Sequence, residues 1–316
     1  MEVRNLQRTS GGSYLLSIPK EWVEEIGLGK GSEVGLIRLG PETIMVNLRP
    51  IKESKPRSIE LEMGENIGRR LTAAYLSGYD RVLIRSSEMI TAEQKDSIRA
   101  ASERLTGMEI INETSDRILL VNMVVPVDLS IQDVIRRMSQ VGCSMLQDSA
   151  LAVENGDPKL AQNVVDRDDA LDRLYFLVIR LLRRTVDDLT VAERMGVTPA
   201  QCLDLRMAAS MMEKIGDESV EACEAFLSAG GGRMELEGLL DLASEMCQLY
   251  RQATTALLKG DFSMSNMVTR SHPEIRQAIS QMTASRPADE VTRLVVGCFE
   301  SIADHIFDIA DVVAER

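Results

Sequence analysis

Carboxylates at four-residue intervals are the feature of this sequence best suited to chemistry. Asp168 and Asp172 make one i, i+4 pair, and Glu213 and Asp217 make another. On a helix such residues stand one above the other, separated by about 6 Å of rise and about 40° of rotation. Each pair therefore projects from one face, and Glu221 and Glu224 extend the second stripe. Two pairs on adjacent helices can offer four carboxylates to a hard cation or a cluster of cations, with iron, zinc, manganese and magnesium as candidates. The plain alternative is an acidic face turned to water.

The pattern recurs downstream. Met212-Glu213-Lys214-Ile215-Gly216-Asp217 lies 87 residues before Phe299-Glu300-Ser301-Ile302-Ala303-Asp304. Glu300 and Asp304 thus repeat Glu213 and Asp217, Asp308 repeats Glu221, and Asp311 repeats Glu224. The earlier pair is not kept, because His272 and Arg276 stand where Asp168 and Asp172 would be. His272 either ligates a metal or caps the helix beginning at Pro273, and capping is the preferred reading. Four converging carboxylates repel one another unless a cation, a basic side chain or shared protons intervene. Lys214 and Arg173 are sequence neighbours of these acids, but adjacent helical positions point about 100° apart, so neither is expected to neutralise the set.

A di-metal carboxylate enzyme in a helical bundle needs Glu-x-x-His at i, i+3. The residues three before His272 and His305 are Thr269 and Ile302. No catalytic residue is assigned, and the chain is not expected to be an enzyme.

The net charge is −13, spread unevenly. Residues 1–57 hold 9 Lys/Arg against 7 Asp/Glu, while residues 58–129 hold 8 against 12. An acidic chain repels nucleic acid, so DNA contact has to come from the first segment. Arg4, Arg8 and Lys20 are the candidates there. Alternatively, they are solvated charges that protect strand edges.

Three regions must position these residues. In residues 1–50, Val3–Arg8 and Tyr14–Ile18 flank a Thr9-Ser10-Gly11-Gly12 turn and predict a hairpin. Pro19 opens a short helix through Trp22 that Gly27 ends. A second hairpin, Val34–Leu39 and Ile44–Leu48, turns at Gly40-Pro41. So small a unit needs a partner to complete its core, which implies a homodimer. Residues 58–128 alternate strand and helix signals: Ile59–Leu61, helix Asn66–Leu76, Arg81–Ile84, a helix capped by Thr91, then Met108–Ile111 and Ile118–Val125. This small α/β module carries no phosphate loop and is assigned no chemistry.

From Ser130 onward the signals are helical. Asp157-Pro158 and Thr198-Pro199 are helix starts, Gly230-Gly231-Gly232 is a break, and His272-Pro273 and Arg286-Pro287 are softer breaks. Five or six helices are expected. Gly156-Asp157 recurs as Gly260-Asp261 at a spacing of 104, so two three-helix units are predicted over residues 130–230 and 233–316. The fold class is multidomain and mainly α.

Aromatics make up only 3% of the chain and methionine supplies 17 residues, a composition suited to helix packing. Cys143, Cys202, Cys223, Cys247 and Cys298 form no CxxC pair and are read as reduced, buried apolar residues. The longest nearly apolar run, Ile118–Val127, falls short of the roughly 18–20 residues that span a bilayer. A cytoplasmic protein without membrane insertion is expected.

Two resemblances follow from these residues. The stretch Arg8–Trp22, followed by Leu28-Gly29-Lys30-Gly31-Ser32-Glu33-Val34, resembles the AbrB/SpoVT swapped-hairpin domain. That likeness implies interleaved hairpins in a dimer that presents arginines to DNA. The stretch Val165–Tyr175, with Met212–Asp217, resembles the paired E(D)xxxD motifs of PhoU proteins. This likeness implies tandem three-helix bundles, a metal-binding role for the paired acids, and control of phosphate uptake. Together they imply a regulator that acts on phosphate transport genes or on the transporter. A metal-free adaptor docking a basic partner, and a di-metal enzyme, are the competing readings.

Overall fold

The computed structural model describes residues 3–38, 42–47, 56–124, 130–284 and 289–313 of the 316-residue chain. Two compact units result, Met1–Lys55 and Pro56–Arg316.

In the first unit, β1 (Gln7–Arg8) pairs antiparallel with β2 (Tyr14–Leu15) across a turn in which Gly12 takes φ +88°. Only two residues on each side pair, fewer than the Val3–Arg8 and Tyr14–Ile18 runs predicted. Helix α1 (Lys20–Glu25) follows Pro19, and Gly27 takes φ +76° just beyond its end. Strands β3 (Gly35–Arg38) and β4 (Ile44–Asn47) form the second hairpin, whose Gly40-Pro41 turn lies outside the described residues. Nothing on α1 is buried, and Tyr14, Leu15, Trp22 and Leu36 stay exposed.

The second unit starts with the α/β module: β5 (Ser58–Glu62), α2 (Ile67–Leu76), β6 (Arg81–Arg85), α3 (Ala92–Glu103), β7 (Met108–Glu113) and β8 (Arg117–Asn122). The sheet runs β5-β6-β8-β7, with β5 parallel to β6 and the other pairs antiparallel. Alternation along the strands turns Leu61, Val82, Ile84, Ile118 and Leu120 inward, where they share a core with Leu71 and Tyr75 of α2 and Ile98 of α3. Thr91 caps α3 reciprocally with Gln94. Residues from Val125 to 129 lie outside the described ones.

Nine helices follow among the described residues: α4 (Ile131–Asn155), α5 (Pro158–Asp166), α6 (Asp168–Asp187), α7 (Leu189–Met195), α8 (Pro199–Ser228), α9 (Leu239–Lys259), α10 (Phe262–Arg270), α11 (His272–Ala284) and α12 (Glu290–Asp311). The count exceeds the five or six expected for local reasons. Single residues, Arg167 and Ser271, interrupt what would otherwise be continuous helices, and α7 fills the connection before Thr198.

The predicted starts hold. Asp157 accepts from the amides of Lys159 and Leu160, Asp261 accepts from that of Met264, and Thr198 forms a capping box with Gln201. Gly156 and Gly260 both end the preceding helix in the left-handed region, so the repeated Gly-Asp pair does the same work twice. The Arg286-Pro287 break lies outside the described residues.

A single hydrophobic core runs from Ile131 of α4 to Ala310 of α12. Helix α8 lies at its centre, packed on α4, α5, α6 and α12. All five cysteines are free and buried. Among the described residues no sheet closes into a barrel, and no helix is long and apolar enough to cross a membrane.

Candidate metal centre

The break at Arg167 makes Asp168 the first residue of α6, with Asp172 one turn further on. Between them Leu171 points into the core and meets Gly216 of α8. A Cβ at position 216 would lie 2.4 Å from Leu171 Cδ2, so glycine is what allows α6 and α8 this close an approach. Gly216 sits between Glu213 and Asp217. The contact that needs a glycine is therefore the one that brings the two acidic pairs together.

Their charges act on one another. Burial, then the carboxylates of Asp172 and Asp217, push the Asp168 carboxyl up to about 6. Burial and Asp217 likewise raise Glu213 above the ordinary glutamate range, with Lys214 opposing. Each of the four acids is partly buried, and Asp168 and Glu213 both feel the charges of Asp172 and Asp217. Among the described residues, however, the tight donor group with atoms within 4.8 Å of one another lies elsewhere, at Glu218, Glu221 and Cys298.

Two cations pair with the acids. Arg104, at the end of α3, pairs with Asp172. Lys214 pairs with Asp217 and lies 3.5 Å from Glu213. The expectation that Lys214 would point away is corrected: its long, flexible stem carries the ammonium forward along α8 to Asp217, three positions on. Among the described residues four carboxylates thus face these two cations, and burial first, then the neighbouring carboxylates, keep the Asp168 carboxyl raised despite Arg104.

Arg104 reaches the acids because the α/β module docks along α6. At the far end of that joint Arg180, 2% exposed, donates to Asp80 Oδ1 at 2.7 Å and to the carbonyls of Tyr75 and Tyr79 at 2.7 and 2.8 Å. Arg184 joins the same Asp80 oxygen at 2.8 Å, and Arg57 pairs with Asp187 at 3.0 Å. Near the acids, Phe176 packs against the module's core and Thr106 Oγ1 donates to the Arg173 carbonyl at 3.2 Å. No chemistry was expected of this module, yet it supplies one of the two cations.

The second copy is wired differently. Arg276 donates to both oxygens of Asp304, at 3.1 and 2.6 Å, and stands 3.9 Å from Glu300. The His272 ring packs on Phe307, and its Nε2 lies 3.0 Å from Asp304 Oδ1. Burial alone would raise Asp304, but these hydrogen bonds hold its carboxyl below the usual range. At Cys298, burial and then the charges of Glu218 and Glu221 push the thiol up to about 12, which makes it a donor to Glu218 rather than a thiolate.

In the head, Arg4 and Arg8 are exposed, and Lys20 is exposed 3.4 Å from Glu24.

Two segments of the chain match known family models. Residues 135–226 match the model of the PhoU domain. Residues 7–56 match that of antidote-toxin recognition MazE, a bacterial antitoxin. Among solved structures, the phosphate transport system regulatory protein PhoU from Streptococcus pneumoniae is similar at 14% identity and TM-score 0.42, over 58% of this chain and 91% of that one. PhoU from Pseudomonas aeruginosa is similar at 18% identity and TM-score 0.40, over 58% and 93%. No curated protein matches the chain. All four acids of the candidate centre fall inside the stretch that matches the PhoU domain model, and the chain joins that stretch to an N-terminal segment that matches the MazE antitoxin model.

Proposed function

We propose that the chain is a regulator of phosphate uptake, in which Asp168, Asp172, Glu213 and Asp217 take up a divalent metal and the head contacts DNA. The observation that carries this reading is the set of four acids on α6 and α8, inside the PhoU match, which among the described residues pair with Arg104 and Lys214. An all-oxygen set suits a hard ion such as Mn²⁺ or Mg²⁺, with iron or zinc as further candidates. Glu300 and Asp304 serve as an ion-paired counterpart rather than a full second site, because Arg276 already occupies them. The helical part is read as two copies, over 130–230 and 233–316. The head, residues 1–50, is the homodimer contact, and Arg4, Arg8 and Lys20 are its DNA-facing cations.

Genome-wide mapping of sites bound by the tagged chain, at high and at low phosphate, tests the regulatory half. Enrichment at phosphate transport genes that changes with phosphate is the expected outcome. Occupancy no greater than in an untagged strain would leave the transporter itself, not DNA, as the target.

A further inference from the structure

The two copies of the acidic pattern are neutralised from different places. In the second copy the cation is built in: Arg276 lies on α11, one turn after His272, and grips Asp304 through two hydrogen bonds. In the first copy the equivalent position is Asp172, an acid, and its cation comes from 68 residues away, on the α/β module. Arg104 is an exposed side chain at the end of α3, its side chain 52% accessible, whereas that of Asp172 is 13% accessible. One partner is anchored, and the other can leave. Phe176 lies under the guanidinium at 5.8 Å and offers it an alternative rest.

We propose that Arg104 is an exchangeable counter-cation: a divalent ion that takes Asp172 as a ligand displaces it, and so frees the near end of the α/β module from α6. This rests on the reading of the four acids as a metal site, and adds to it how occupancy is reported to the rest of the chain. Polar contacts tie the module to α6 at both ends, with Phe176 of α6 packed on the module's core. The buried Arg180–Asp80 joint stays, while the near tie, Arg104 on Asp172 with Thr106 on the Arg173 carbonyl, is the one in the ion's path. Displacement therefore loosens the segment around residues 104–107 and leaves the module attached. In the second copy the same exchange is blocked, because Arg276 stands where the ligand would have to be.

The test is calorimetric titration of the full chain with Mn²⁺, together with hydrogen–deuterium exchange over residues 103–110. Arg104→Ala removes the competitor and tightens Mn²⁺ binding about three- to tenfold, the scale of a partly exposed ion pair. Arg104→Lys, which restores a charge, returns the affinity toward wild type. In wild type Mn²⁺ speeds exchange in this segment, and in Arg104→Ala it does not, a difference that simple long-range repulsion cannot produce. Unchanged or weaker binding by Arg104→Ala, or no faster exchange in wild type, overturns the proposal while leaving the metal site intact. If wild type binds no Mn²⁺, or Glu213→Gln with Asp217→Asn binds it equally well, the site reading itself falls and this proposal falls with it.

Discussion

Ionising Asp168 near neutral pH means placing a charge in a half-buried position beside Asp172 and Asp217, which is why its carboxyl sits at about 6 rather than at the ordinary 3.8. Because the folded value is the higher one, the native state holds the extra proton between these two values. Stability from this group is present below about 3.8 and is lost as pH rises through about 6. Asp168→Asn removes the conflict. In metal-free protein it should melt higher than wild type at pH 7.5, and the gap should close as the pH is lowered to 4. A gap independent of pH would show that the Asp168 charge is not strained. The acids were legible in the sequence because i, i+4 spacing is a local property. Their cations were not, since Arg104 and Asp172 are distant in the chain and Lys214 depends on the reach of a flexible stem. Nor was the buried Arg180, which reads in sequence like any helix-surface arginine.

Two contacts between elements hold this arrangement, and each has its own test. Gly216 lets α8 approach Leu171 of α6, so Gly216→Ala should destabilise the chain by about 1–3 kcal/mol through overpacking. Alanine's better helix propensity, about 1 kcal/mol, offsets only part of that. Urea unfolding measures the difference, and a net gain in stability would show the helices can move apart freely. The Arg180–Asp80 joint is the second contact. Asp80→Ala strands a buried cation and should cost about 3–5 kcal/mol by the same measurement. Helix starts at Asp157 and Thr198 were readable because capping is a short-range interaction between a side chain and the next few amides. The interruption at Arg167 carries no proline or glycine to announce it, so no sequence signal separates α5 from α6.

At the scale of the whole chain, the two units differ in how much of their apolar surface they bury. The Pro56–Arg316 unit closes its own cores, whereas the head leaves Tyr14, Leu15, Trp22 and Leu36 exposed on fifty residues of short hairpins. Exposure of that kind favours a second copy as the partner. Deleting residues 1–50 should convert a dimer into a monomer in sedimentation, and Arg8→Ala should weaken DNA binding and flatten its salt dependence while the dimer persists. A truncated chain that stays dimeric would assign the dimer contact to the helices instead. Whether the four acids of α6 and α8 hold a metal is decided by thermal unfolding of demetallated protein with and without added Mn²⁺, Mg²⁺, Zn²⁺ or iron. Binding to the native state must raise the melting temperature by mass action. In wild type the melting temperature should rise with at least one of these ions, and the rise should vanish in Glu213→Gln with Asp217→Asn; no rise with any of them, or an equal rise in the double variant, would show that these acids hold no metal.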